Sequence, residues 1–459
     1  MKRSIYLLAC CLTLLHTSHL NGEDWLRFRG PNGSGISTSP KKTPVAFGDE
    51  KNVSWKTRLP GPGASSPVVV GDKVFVTCYS GYGESRENLG KMEDLKRHLV
   101  CIDRKTGKPL WEKEVAPYLP EDEFQGMGVP EHGYASSTPV SDGQHLFVFF
   151  GKSGLFAYDL DGNELWSKNL GTQSNDRKWG SAASPILFGD VLIINASDES
   201  RAFYGLQAKT GKQLWKTETK SLANVWNTPI IVGEPADPQL VFSVPDEIWA
   251  LNPTNGKLKW YSTKGVNAPS VSTSLVTDGQ LVIAMGGRSL EAVAVKIGGQ
   301  SDITDDRVVW EGRGITAITT PISYQGHLYA IHRGIAHCLN AANGEAVYRE
   351  RVPITTDRPE DRPRGAQPGD DVIRLPLPGE RRSRGSGNYS SPVVADGKIY
   401  QFTRDGTCYV LAAKPEYELL ATNQFQADPS GFNATPAISN GQLFVRSNHY
   451  LYCIGSDIE

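Results

Sequence analysis

This sequence predicts an all-β protein, an eight-bladed β-propeller whose last blade is closed by a strand from the N-terminal region. Three observations predict it. A segment reading small residue, x, Asp, turn, Trp recurs as Cys101–Trp111, Ala157–Trp166, Gly205–Trp215 and Ala250–Trp260, and more weakly as Cys338–Tyr348. Ser/Thr-Pro marks stand at Ser66, Thr138, Ser184, Thr228, Thr320, Ser391 and Thr435, and Thr273-Ser274 stands in for an eighth. Repetition at this period signals a solenoid or a propeller. The third observation is the mismatch of the ends. The last repeat stops after its third strand, His449–Ile454, and Val53-Ser-Trp-Lys-Thr-Arg-Leu59 aligns with the missing outer strand. Joining the ends protects the final blade from fraying and leaves only short edges.

Each unit runs in one order: a small-residue strand ending in Ser/Thr-Pro, an apolar strand, a Gly-Asp or Asp-Gly turn, a second apolar strand, then the Ala/Cys-x-Asp strand, the Thr-Gly turn and the Trp strand. Short alternating strands with two-residue Gly turns are strong hairpin signals. The composition agrees, with 39% hydrophobic residues, 47 Gly and 29 Pro in 459 residues. Trp55, Trp111, Trp166, Trp215, Trp260 and Trp310 fall on outer strands, where each is expected to pack flat between blades and to find a partner for its indole N–H. Tyr348, and the absence of an aromatic near Leu420, mark weaker seams in blades six and seven.

Residues 1–22 read as a secretory signal: Lys2-Arg3, the apolar run Ile5–Leu15, then a polar stretch before Glu23. The run is too short to span a membrane. Leu7-Leu8-Ala9-Cys10 has the form of a lipoprotein box, so peripheral membrane association is expected only if Cys10 is lipidated. Export places the chain in a periplasm or outside the cell. Loss of Lys2 and Arg3 from 48 basic residues, against an unchanged 50 acidic, gives a net charge of −4. No basic face for nucleic acid is in prospect. Cys78 and Cys101 lie on neighbouring strands and are candidates for a disulfide. Residues 23–51, rich in Gly, Pro and Ser, are expected to form an extended arm over the surface, followed by the propeller at 52–459.

Long insertions at 80–98, 116–134, 171–180 and 353–388 join either strands two and three of a blade or one blade to the next. Both kinds of loop leave a blade on the same face, so this face is the functional candidate. Leu89, Met92, Leu95 and Leu99 suggest a short amphipathic helix. Glu121-Asp122-Glu123 and the basic end of 353–388 (Arg381-Arg382-Ser-Arg384) read as solvated loops. Tyr134, Trp179, Trp226, Asn227, Asn388, Tyr389, Phe432 and Asn433 precede innermost strands. If they ring the channel mouth, they would stack on and hydrogen-bond a planar or sugar-like ligand.

The repeat Cys101-Ile-Asp103 … Thr106-Gly107 … Trp111 resembles the tryptophan-docking motif of quinoprotein-type propellers, the pyrroloquinoline quinone (PQQ) repeat family. The resemblance covers almost the whole chain beyond the signal and implies the propeller fold. The family contains alcohol and glucose dehydrogenases that bind PQQ and Ca²⁺, and non-enzymatic propellers such as BamB of the outer-membrane β-barrel assembly machinery. The adjacent Cys pair of many of those dehydrogenases is matched only by Cys10-Cys11, within the signal, and there is no CxxCH haem site. Asp198-Glu199 and Asp246-Glu247 offer carboxylates, but at turn positions where ionised, solvated side chains are expected. His residues have no zinc spacing, and GxSxG, P-loop and HExxH are absent. These readings point to an exported, monomeric, non-enzymatic propeller without catalytic, cofactor or metal residues. It would bind a protein or glycan partner through its insertion-bearing face. The alternative is a PQQ- and Ca²⁺-dependent alcohol or sugar dehydrogenase with a divergent site.

Overall fold

The computed structural model describes residues 23–30, 33–126, 128–353 and 388–455. The expected signal, Cys10 and nearly all of insertion 353–388, with Arg381, Arg382 and Arg384, lie outside them. The described residues form eight antiparallel sheets of four strands, one of which gains a short fifth strand. Blade 1 comprises Val68–Val70, Lys73–Ser80, Lys96–Asp103 and Pro109–Val115, and the others follow its order. The eighth comprises Ala437–Ser439, Gln442–Arg446 and Tyr450–Ile454, with Val53–Arg58 as its outer strand. Val53 pairs with Ile454 and Arg58 with Tyr450, and the Leu59 amide donates to the His449 carbonyl at 2.8 Å. The end-to-start closure is therefore present.

Inner strands are buried along their length, whereas outer strands alternate, because only one face of an edge strand meets the next blade. The Ser/Thr-Pro marks have a common task. The backbone N–H of Ser66 donates to Thr138 Oγ1, Thr138 to Ser184, Ser184 to Thr228, Thr228 to Ser274, Ser274 to Thr320, Thr320 to Ser391 and Ser391 to Thr435, all at 2.9–3.1 Å. Seven of the eight seams are thus tied by one hydroxyl each. Ser274, rather than Thr273, fills the fifth slot, which evens the spacing there. At the eighth seam the Ser66 hydroxyl is unpartnered. The buried Arg446 of blade 8 bridges this seam instead, donating to Ser65 O at 3.2 Å and Thr77 O at 2.6 Å in blade 1.

The tryptophans dock one blade onto the next. Trp55, Trp111, Trp166, Trp215 and Trp310 each donate an indole N–H to a backbone carbonyl of the following blade, at 2.8–3.2 Å. The Thr-Gly turn supplies a glycine beneath the ring. At Gly211, with φ +67°, an added Cβ would lie 2.7 Å from Trp166, so only glycine fits. Trp260 differs because blade 5 lacks that turn. Its indole donates to Gln239 Oε1 of its own blade at 2.8 Å, and Ser301–Asp302 adds a parallel edge beside Trp260. At the seam between blades 6 and 7, Tyr348 meets Tyr417 at 5.6 Å.

Three local expectations are corrected. The arm does more than lie on the surface. Trp25 and Arg29 are buried, and the arm enters the lumen between the innermost strands: Trp25 exchanges backbone bonds with Val69 of blade 1. Arg29 donates to Thr320 O at 2.9 Å, Pro321 O at 2.8 Å and Pro392 O at 3.4 Å, in blades 6 and 7. Further on, Phe47 packs among Tyr400, Phe402 and Phe425, supplying an aromatic that the outer strand of blade 7 lacks. The helix suggested by Leu89, Met92, Leu95 and Leu99 reduces to one turn, Met92–Asp94. Residues from Lys96 onward instead satisfy their backbone as a strand along Lys73–Ser80. Cys78 and Cys101 are unpaired thiols. Their cross-strand partners are His98 and Phe75, so their side chains point to opposite faces of the sheet.

Candidate functional site

Insertions 80–98 and 116–134 fold on each other over blade 1. Tyr79, Tyr82, Leu95, Phe124, Val129 and Tyr134 form a small core of their own. The Tyr134 hydroxyl donates to the Asp122 carbonyl at 2.6 Å, so Tyr134 anchors the insertion and does not present its ring to a ligand. From this core the short helix Val129–His132 reaches across the mouth of the lumen. Glu131 pairs with Arg404 of blade 7, and its backbone carbonyl accepts from Arg404 at 3.0 Å and from Asn433 of blade 8 at 3.2 Å. On the other side, His132 lies 2.9 Å from the Trp179 carbonyl and 2.6 Å from Ser136 Oγ. Burial pulls the imidazole down to about 4, so this ring is a neutral strut at ordinary pH.

The eight expected ligand residues divide among separate environments. Trp179 stacks on Trp226, centroids 5.2 Å apart, and the Arg177 guanidinium sits 4.9 Å from its ring centre. The Trp226 indole donates to Gly180 O and to Asp198 Oδ2. Asn227 is fully buried and bonds Ser243 O at 2.8 Å. Phe432 is buried among Phe402, Phe425 and Tyr452, not at the axis. Tyr389, under the Arg404 guanidinium, and Asn433 lie at the lid's far end, and Asn388 is half-buried next to Tyr389. They form no continuous stacking ring: Tyr134, Trp226 and Phe432 are buried in packing, and only Trp179 and Tyr389 stay half-buried, on different sides of the lid.

A different group gathers beneath the lid. A small cleft, partly open to solvent, is lined by Arg97, Asp122, Lys152, Gln173, Asp198 and Glu199 among others. Arg97 pairs with Glu121 at 2.6 Å and Lys152 with Asp122 at 3.1 Å, with all four side chains buried. Glu121 and Asp122 are therefore structural partners rather than solvated charges, and of the acidic run only Glu123 is exposed. Asp198 and Glu199 also depart from expectation. They occupy a helical turn, Ser197–Ser200, that is folded inward and buried. Burial pushes the Asp198 carboxyl up to about 7, against the Asn175 and Trp226 hydrogen bonds that favour its anion. Glu199 is raised well above the carboxylate range, first by burial and then by Asp198, and its Oε2 has no partner. Asp246 and Glu247 lie at a turn as expected, Asp246 exposed and Glu247 half-buried.

This pair makes stability depend on pH. A buried acid whose proton is held more tightly in the fold stabilises fully below the unfolded value near 4, and the benefit is lost as pH rises through the raised folded value. For Asp198 that window runs from the ordinary aspartate value of 3.8 to about 7. Stability is expected to fall across it, by about 1.4 kcal/mol per unit of separation, and the raised Glu199 carboxyl adds to the fall in the same direction. Glu199→Gln should flatten the fall and be more stable than the parent at pH 8. Urea unfolding at pH 5 and 8 checks this, and parallel profiles for both proteins would refute it.

Comparison with known proteins places this geometry. A family model described as outer membrane protein assembly factor BamB matches residues 94–350. BamB of Yersinia pestis is 22% identical over 372 residues, covering 74% of this chain and 88% of that protein. A tetrathionate hydrolase of Acidithiobacillus ferrooxidans is 26% identical over 272 residues, or 50% of this chain, and the match spans only 52% of that enzyme. Among solved structures, BamB of Moraxella catarrhalis aligns with TM-score 0.57 at 11% identity, over 89% of this chain and 98% of its own. The quinohemoprotein alcohol dehydrogenase of Comamonas testosteroni aligns with TM-score 0.60 at 11% identity, over 95% and 81%. At these identities the structural likenesses establish the fold alone.

Proposed function

The chain belongs to the PQQ-type repeat family described as outer membrane protein assembly factor BamB, and from this premise we propose that it is an exported, non-enzymatic scaffold that holds a protein partner against its insertion-bearing face. Protein is favoured over glycan because the aromatic residues that would stack on a sugar form no continuous ring. The observation that carries the reading is the lid. Insertion 116–134 is built into a fixed platform, tied by Glu131 to blades 7 and 8 and by His132 to the loop before blade 3. On the insertions themselves, Leu89, Tyr118 and Leu119 remain 40–45% exposed. Large apolar side chains held outward on a rigid, polar-rimmed surface suit protein contact. Among the described residues no helix is long and apolar enough to cross a membrane.

The alternative dehydrogenase reading requires room at the axis for a flat, anionic quinone and a Ca²⁺ ion. The residues there do not suit the quinone. The described arm residues Trp25, Arg29 and Ser37 bond to innermost strands of blades 1, 6 and 7, and Arg29 is committed to backbone carbonyls. The cleft beneath the lid holds four carboxyl groups against two cations already in ion pairs, an unfavourable setting for an anion. No catalytic step is assigned to the chain.

The scaffold reading is tested by crosslinking and co-purification from the native host with mass spectrometry. Leu89→Glu and Tyr118→Glu should each reduce recovery of the main crosslinked protein by about tenfold or more, the effect of losing a central apolar contact. Leu214→Glu, on the outer strand of blade 3 and 48% exposed, should leave recovery unchanged. Equal recovery in all three variants would reject the insertion-bearing face.

A further inference from the structure

We propose that the outer half of blade 1 carries a site for a divalent first-row transition metal, built from His98, Glu112 and Glu114. The three residues sit on the blade's last two strands, Lys96–Asp103 and Pro109–Val115, where His98 faces Glu114 directly and Glu112 diagonally. One ligand atom from each lies within 4.8 Å of the others, and among the described residues this is the one such group of three. The carboxylates under the lid do not converge in this way.

The imidazole is buried, whereas the two carboxylates remain open to solvent, which gives an ion a route in. His98 Nδ1 lies 2.7 Å from Glu112 Oε1, and Nε2 lies 2.7 Å from Ser80 Oγ. In one tautomer, Nδ1–H donates to Glu112 and Nε2 accepts from the Ser80 hydroxyl. Because a hydroxyl can also accept, the ring can carry its proton on Nε2 instead, donating to Ser80 while Nδ1 offers its lone pair to a cation. A ligating histidine whose second nitrogen is pinned in this way is the usual arrangement of a working metal site. All four residues stand on strands of one sheet, so little ordering remains to be done on binding. An imidazole with two carboxylates and open positions selects Zn²⁺, Co²⁺ or Ni²⁺ over Ca²⁺ and Mg²⁺, which take all-oxygen shells. Glu114 is held at 2.8 Å by Lys96, an exposed ion pair that is worth little and that a divalent ion can displace.

Equilibrium dialysis of the untagged full chain against Zn²⁺, with Co²⁺ absorption spectra as a second readout, tests the proposal. One ion per chain is expected, with cobalt d–d bands of an N/O site. His98→Gln should abolish binding. Because His98 is buried and its replacement could disturb the fold, Glu112→Gln and Glu114→Gln, both at exposed side chains, are also tested and should weaken binding at least tenfold with unchanged melting. Ser80→Ala should lower affinity about 10–100-fold, the usual cost of losing an outer-shell partner. Lys96→Met should tighten binding by freeing Glu114. Absence of stoichiometric zinc on the parent chain, or affinity unchanged in the two glutamine variants, would overturn the site.

Discussion

Replacing Arg29 by methionine is expected to destabilise the protein by roughly 3–5 kcal/mol. The guanidinium is fully buried with no carboxylate beside it among the described residues, and burial lowers its hold on its proton. Among the described residues its donors go to the carbonyls of Thr320, Pro321, Pro392 and Ser34. Methionine fills similar space but donates nothing, and each buried carbonyl left without a partner costs about 1–3 kcal/mol. Lysine keeps the charge but reaches fewer acceptors without the planar fork, so Arg29→Lys should fall between the two. Equilibrium urea unfolding followed by tryptophan fluorescence measures the differences. Loss of less than about 1 kcal/mol in Arg29→Met would mean that the arm is an ornament rather than part of the core.

Breaking the closing strand is expected to be at least as severe. In the double variant Trp55→Ala, Thr57→Pro, the first change removes an indole that donates to Arg104 O at 2.8 Å and packs on Gly107. Large-to-small changes of this kind cost about 3–5 kcal/mol. The second places a residue without an N–H in the ladder facing Leu451. Tyr450–Ile454, buried along most of its length, then becomes an open apolar edge. The variant should therefore elute as oligomers or aggregate. A synthetic peptide covering residues 52–59, added during refolding, should restore part of the monomer by strand addition. A monomer with the parent's melting temperature would show that the ring is held shut elsewhere.

These expectations differ in how far they could be read without coordinates. Closure by Val53–Leu59 was legible because the last repeat lacks a strand and the first segment carries the matching Trp. The role of Arg29 was not. Nothing in Trp25-Leu-Arg-Phe-Arg-Gly has strand periodicity, and its partners are backbone carbonyls about 290 and 360 residues away, which leave no mark in the sequence. Asp198-Glu199 was misread for a related reason. A dipeptide of two acids at a turn is ordinarily solvated, and only contacts from other elements, Asn175 and Trp226 among them, bury it. The metal-binding group was missed because His98, Glu112 and Glu114 match no ligand spacing. The antiparallel register joins them.

What the sequence determined by itself is the repeat: the number of blades, the docking tryptophans and the closing strand. Those features repeat, and period-2 strands with Gly turns encode their geometry locally. What only the tertiary structure decided is everything made where different blades meet: the buried arm, the lid, the inward acids and the split of the expected aromatic ring. Such contacts join residues from distant repeats, and whether a side chain there is solvated, paired or buried depends on neighbours that no local pattern specifies.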